Sequence, residues 1–169
     1  MPDDVPVDLS FLLNQAAYAL EARLATALAG VGVSVREYCV LMKAAEVERT
    51  QNEVAELAGL DKTTMVVALD RLEQEGLVKR RVSELDRRAR IVTVTKKGLA
   101  AYDRARRIVD AINHEVLTSL SAGDRMALVR GLTGLTSGEG LLARPSHVAP
   151  QRRKQVRPRS VRTGSVSTE

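Results

Sequence analysis

The feature that most limits what this chain can become is where its prolines fall. All five (Pro2, Pro6, Pro145, Pro150 and Pro158) lie outside residues 7–144. Proline removes a backbone donor and clashes with the preceding turn, a cost of about 3 kcal/mol inside a helix, so the interval between them reads as mostly helical. Phe11, Tyr18, Tyr38 and Tyr102 are the only Phe, Tyr or Trp side chains. The core must therefore be built from Leu, Val, Ala, Ile and Met, which suits packed helices.

A chain of 169 residues accommodates one domain and a tail. No apolar run approaches the roughly 20 residues that span a bilayer, and no signal-peptide pattern is found; a cytoplasmic location without a membrane partner is the expectation. The single cysteine, Cys39, excludes an intrachain disulfide and a cysteine-based zinc knuckle. The two histidines, His114 and His147, stand far apart, so neither a metal site nor a cofactor is expected. Nucleophile elbows, phosphate loops and metal-spaced His/Cys are all missing from the sequence, which argues against an enzyme.

The whole-chain charge of +5 belongs mostly to one end. Residues 144–169 hold seven Lys/Arg against Glu169, which leaves residues 1–143 at −1. Basicity that bears on nucleic acid is local: residues 79–90 carry six Lys/Arg against Glu84 and Asp86.

Helical spacing of Leu9, Leu12, Leu13, Ala16, Leu20, Leu24 and Leu28 predicts a first helix over 9–29, with Asp8 as cap and Gly30 as stop. Ser34 and Glu37 have capping-box spacing and open a second helix that runs to about Glu46. Thr50 and Glu53 repeat the box and open a short third helix, ended by Gly59. Asp61 caps a fourth, with Met65, Ala68, Leu69 and Leu72 inward and Lys62, Thr63, Thr64, Val67, Asp70, Arg71 and Gln74 outward. Two β-favouring stretches, 77–82 and 90–95, flank a charged tip and predict a two-stranded ribbon. Thr95 caps a long fifth helix to about Ser119, and Ser121 opens a sixth. Past Gly138 the composition is Gly, Pro, Ser and Arg, too polar to offset its ordering entropy, so a disordered basic tail is expected over 144–169.

Two short helices joined at Ala58-Gly59-Leu60-Asp61 make a helix–turn–helix, in which the second helix can enter a major groove while the first braces it. The ribbon that follows suits a minor-groove or phosphate probe. At these residues the chain resembles the multiple-antibiotic-resistance-regulator (MarR) family. The resemblance is carried by the run from Val54 to Thr64, by Leu72-Glu73-Gln74-Glu75-Gly76-Leu77-Val78, by Asp86-Arg87-Arg88-Ala89-Arg90 and by Val94-Thr95-Lys96-Lys97-Gly98. With flanking helices it covers roughly residues 8–137.

The fold class implied is mainly α with a small two-stranded β-wing. Its DNA-binding lobe is expected over 34–95, with dimerisation helices over 8–30 and 98–137, the whole forming one domain over 1–143. The resemblance implies a homodimer that binds a pseudopalindromic operator in double-stranded DNA, in the role of a ligand-responsive repressor. In such proteins the wing's Asp-x-Arg, here Asp86 and Arg88, places an arginine in the minor groove with the aspartate supporting it. Arg87 adds charge beside them. Lys62, Thr63, Thr64, Val67 and Arg71 are the candidate recognition-helix contacts; Val67-Ala68 departs from the polar or basic residues usual there. The resemblance further implies a small aromatic or phenolic effector, with Tyr18, Arg23, Tyr38 and Met42 as lining candidates. Cys39 reads as a buried packing residue and not a peroxide sensor. The alternative is an architectural or protein-interaction winged-helix module without sequence-specific regulation.

Overall fold

A computed structural model describes residues 8–137. The expected tail over 144–169 lies outside the described residues, as does His147. Along the chain run α1 (Leu9–Ala29), α2 (Val35–Glu46), β1 (Arg49–Thr50), α3 (Gln51–Ala58), α4 (Lys62–Gln74), β2 (Val78–Val82), β3 (Arg90–Val94), α5 (Lys96–Thr118) and α6 (Ala122–Thr136).

Each helix starts where a side chain can satisfy its unpaired amides. Asp8 accepts from the Phe11 amide, Asp61 from that of Thr64 and Thr95 from that of Gly98. Ser34 with Glu37 and Thr50 with Glu53 both complete the reciprocal box. The third helix ends at Gly59, where φ is +75° and the next amide, of Leu60, returns to the Ala55 carbonyl at 2.9 Å. A side chain at that φ would be strained, so the tight turn between α3 and α4 depends on glycine. At the end of α1 the left-handed residue is Gly32, at φ +71°, while Gly30 stays right-handed.

The sheet differs from expectation by one strand. Its order is β1-β3-β2, all antiparallel, with Arg49 opposite Val92 and Val78 opposite Val94. The wing is thus a two-stranded ribbon whose base is widened by β1. Two residues carry no periodicity to read, and Thr50 is already committed to capping α3, which is why the ribbon alone was legible.

The core gathers the inner faces of α2, α3, α4, the sheet and α5. Val40, Leu41, Val54, Met65, Leu69, Leu72, Val78 and Val92 are all but inaccessible. Tyr38 on α2 stacks on Tyr102 of α5 with ring centroids 5.8 Å apart. The predicted inward residues of α4, Met65, Ala68, Leu69 and Leu72, are all buried. By contrast α1 buries only Leu28, and Leu9, Phe11, Leu12 and Tyr18 face solvent.

The chain divides into two compact units, the first ending at Arg125 and the second beginning at Met126. The second unit's described part is the remainder of α6. It buries no residue, and Met126, Leu128, Val129 and Leu132 are exposed.

Candidate nucleic-acid interface

The outward face of α4 is held by its first turn. Asp61 accepts from the Thr64 amide at 3.0 Å and from the Thr64 hydroxyl at 2.6 Å. That hydroxyl, chiefly, and then the amide hold the Asp61 carboxyl below its usual range, so the cap remains charged at any pH near neutral. The Thr64 proton is spent on the cap, which leaves its oxygen as an acceptor and a poor match for an acceptor-only phosphate. Lys62 and Thr63 are exposed at the start of the same turn. Val67 lies one turn further on, exposed, and Arg71 follows it by four residues, so Thr64, Val67 and Arg71 share one face. With Thr63, Ala68, Ser34, Arg36 and Glu37 they line an open groove between α4 and the start of α2.

The wing tip is a compact hydrogen-bonded turn. Ser83 is buried; its hydroxyl accepts from the amides of Leu85 and Asp86 at 3.3 and 3.4 Å. Ala89 closes the turn, its amide donating to the Asp86 carbonyl at 2.9 Å and its carbonyl accepting from the Ser83 amide at 3.1 Å. The Asp86 carboxylate accepts from the Arg88 backbone amide at 2.9 Å. Asp86 therefore supports Arg88 through the main chain, in an Asx-type turn, and leaves its guanidinium unpaired among the described residues. Arg87 and Arg88 both project into solvent.

Not all of the wing's charge is available to a partner. Arg80 on β2 donates to Glu73 of α4 from Nε at 2.9 Å and again from Nη2, which also lies 2.8 Å from Asp70. The Arg80 amide donates to the same Glu73 carboxylate, at 3.1 Å. These bonds, the side-chain one foremost, hold the Glu73 carboxyl below its usual range. Arg81 pairs with Glu48 at 2.9 Å. Of the six cations, Lys79, Arg87, Arg88 and Arg90 are left without a carboxylate among the described residues. Arg80, Glu73 and Asp70 were missed as a unit by sequence reasoning, since they meet only because Gly76 folds β2 back along α4.

The base of the wing is locked to α5. Thr95 donates its hydroxyl to the Gly76 carbonyl at 2.8 Å, and its amide to that of Leu77 at 2.9 Å. Lys97 Nζ donates to the Glu75 carbonyl at 2.6 Å. Gly98 packs directly against the Leu77 carbonyl.

The four lining candidates for an effector are not gathered in one cavity of the single chain. Tyr18 is 76% exposed and borders an open concavity on α1 with Phe11, Asn14 and Gln15. Arg23 borders another, with Ala22, Thr26, Ala27 and Ile112, and pairs with Glu115 of α5 at 2.7 Å. Tyr38 is buried, and Met42 packs against the core. Cys39 is half-buried, and desolvation pushes its thiol up, which keeps it protonated and a weak nucleophile at neutral pH.

A helix–turn–helix whose second helix presents a polar outer face, followed by a rigid ribbon with two free arginines at its tip, defines a winged helix–turn–helix protein. The MarR family model matches residues 31–89. The HTH-type transcriptional repressor Rv2887 of Mycobacterium tuberculosis is 30% identical over 138 residues, which cover 81% of this chain and 98% of that protein. Its solved complex with p-aminosalicylic acid has a TM-score of 0.65 at 27% identity, covering 78% of this chain and 100% of that one. The repressor CouR from Rhodococcus jostii, solved with p-coumaroyl-CoA, has a TM-score of 0.67 at 29% identity, covering 78% of this chain and 94% of that one. CouR bound to a 23-mer DNA duplex scores 0.68 at 31% identity, covering 74% and 89%. This chain belongs to the MarR family of transcriptional regulators.

Proposed function

We propose that the chain binds a pseudopalindromic operator as a homodimer and represses transcription in response to a small aromatic or phenolic ligand. In this reading α4 enters the major groove, where Lys62, Thr63 and Arg71 meet phosphates or base edges, Thr64 offers an acceptor and Val67 meets a thymine methyl. The wing lies along the minor groove. There Arg88, with Arg87 beside it, enters the concentrated negative potential of a narrow groove, and Asp86 sets the backbone that aims it. The observation that carries this is the wing tip itself. Its hydrogen-bonded turn restrains the backbone that bears two arginines facing solvent, with no carboxylate among the described residues competing for them, so less backbone freedom is lost on binding.

Dimerisation rests on separate observations. Leu9, Phe11 and Leu12 on α1, and Met126, Leu128 and Val129 on α6, are exposed, and exposed apolar area of this kind marks an interface. A second copy would bury it and supply the paired half-sites of a palindrome. The domain so formed spans 1–143, with 34–95 as its DNA-binding lobe. CouR and Rv2887 have been solved with p-coumaroyl-CoA and p-aminosalicylic acid, and an effector of that chemistry would here have Tyr18, Arg23, Tyr38 and Met42 as its lining candidates, of which Tyr18 and Arg23 are the exposed ones. The function involves no catalytic step and is exercised in the cytoplasm.

Sedimentation at micromolar concentration is expected to return twice the chain mass, and operator DNA to bind one dimer. A folded monomer that retains operator binding would refute the dimeric reading.

A further inference from the structure

The groove beside α4 contains a carboxylate that the DNA-binding reading does not use. Glu37 sits on the first turn of α2, 4% exposed, and is one of only two buried polar residues among those described. One of its oxygens, Oε2, accepts from the Ser34 amide at 2.7 Å and completes the capping box. The other, Oε1, lies 3.3 Å from Nε of Arg71, whose side chain remains 61% exposed.

We propose that Glu37 is a positioning residue for Arg71, an inference that rests on the DNA-binding reading above. A long arginine on an exposed helix face samples many rotamers, and ordering it on binding carries an entropic cost. Glu37 removes part of that freedom in advance. It meets the guanidinium at Nε, the edge nearest the helix, and the terminal nitrogens keep their donors for a phosphate or for the O6 and N7 of guanine. The arrangement is rigid because the carboxylate is itself fixed, by the Ser34 amide on one side and by burial on the other. The contact is an ion pair, and Arg71 pairs with no other carboxylate among the described residues, so Glu37 is the one charge that orients it there.

Two alternative roles for Glu37 predict different behaviour. A purely structural carboxylate would act through the α2 cap, and its loss would be felt whatever occupies position 71. A carboxylate that sequesters Arg71 from DNA would, when neutralised, raise affinity. Positioning predicts the opposite sign and full dependence on Arg71.

Glu37→Gln keeps the shape and the cap acceptor while removing the charge. Since Arg71 is mostly solvated, no buried charge is stranded. The experiment is a double-mutant cycle of Glu37→Gln and Arg71→Ala on the full chain, read as the ratio of affinity for a selected operator to that for scrambled duplex. Glu37→Gln is expected to lower that ratio by about threefold, a part of what losing the whole Arg71 contact would cost, with the melting temperature close to wild type. In the Arg71→Ala background the same change should have no further effect. An unchanged or raised ratio in Glu37→Gln, or an equal drop in both backgrounds, overturns the positioning role while leaving DNA binding intact. A wild type that prefers no duplex refutes the underlying reading, and the inference falls with it.

Discussion

Gly98→Ala is expected to destabilise the protein by about 3 kcal/mol, the upper part of the range for overpacking a filled site. An ideal Cβ at Gly98 would stand 2.0 Å from the Leu77 carbonyl oxygen and 2.8 Å from Val94 Cγ1. A flexible side chain could swing away, but the nearest atom is backbone. That carbonyl is also anchored, because it accepts from the Thr95 amide at 2.9 Å. Relief would require α5 to lift from the wing, which breaks the Thr95 cap and parts β2 from its neighbours. In a domain of this size the loss should lower the melting temperature by roughly 10 °C. Wild type and variant are to be melted at one protein concentration, because the stability of a dimer depends on it. Equal melting temperatures for Gly98→Ala and wild type would mean that α5 does not pack on the wing as described.

Gly98 shows what a sequence conveys and what it withholds. A glycine four residues after Val94, just inside a capped helix, is visible as a motif; that it abuts a carbonyl 21 residues earlier is a tertiary fact. The same division runs through the molecule. The starts of α2, α3, α4 and α5 were legible because capping is local, confined to Ser34–Glu37, Thr50–Glu53, Asp61–Thr64 and Thr95–Gly98. The inward stripe of α4 was legible because helical periodicity survives without knowledge of its partner. Glu37 and Arg71 lie 34 positions apart, and each has a sufficient local explanation, as capping-box acid and as exposed helix cation. Nothing local announces that they meet. Arg80 was read as part of a basic stretch, and its neutralisation by Glu73 and Asp70 reverses its meaning: it is a strut between wing and α4, not free charge.

Arg88→Ala is expected to weaken operator binding by roughly 1–3 kcal/mol, as the loss of one good groove contact does. Its amide is held by Asp86 and its side chain makes no ion pair among the described residues, so truncation should leave folding unaffected and the cost should fall on binding. Deleting residues 144–169 removes a net charge of +6 and should act differently. Charge not aimed at particular bases engages phosphates of any sequence, so its loss should weaken operator and scrambled duplex about equally and flatten the salt dependence. Measuring both duplexes across a salt series separates the two effects. If Arg88→Ala keeps operator affinity while the truncation abolishes the preference for operator, specificity lies in residues 144–169 and the wing assignment is wrong.

The central claim is that α4 and the wing of two copies read a defined DNA sequence. It is tested most directly by selecting bound duplexes from a random pool with the full chain, in the presence of competitor DNA at near-physiological salt. The account predicts enrichment of a palindrome whose half-sites lie about one helical turn apart, some 10 base pairs centre to centre. Recovery of duplexes with no shared sequence, bound with an affinity that collapses as salt rises, would contradict it and leave a winged module that holds DNA by charge alone.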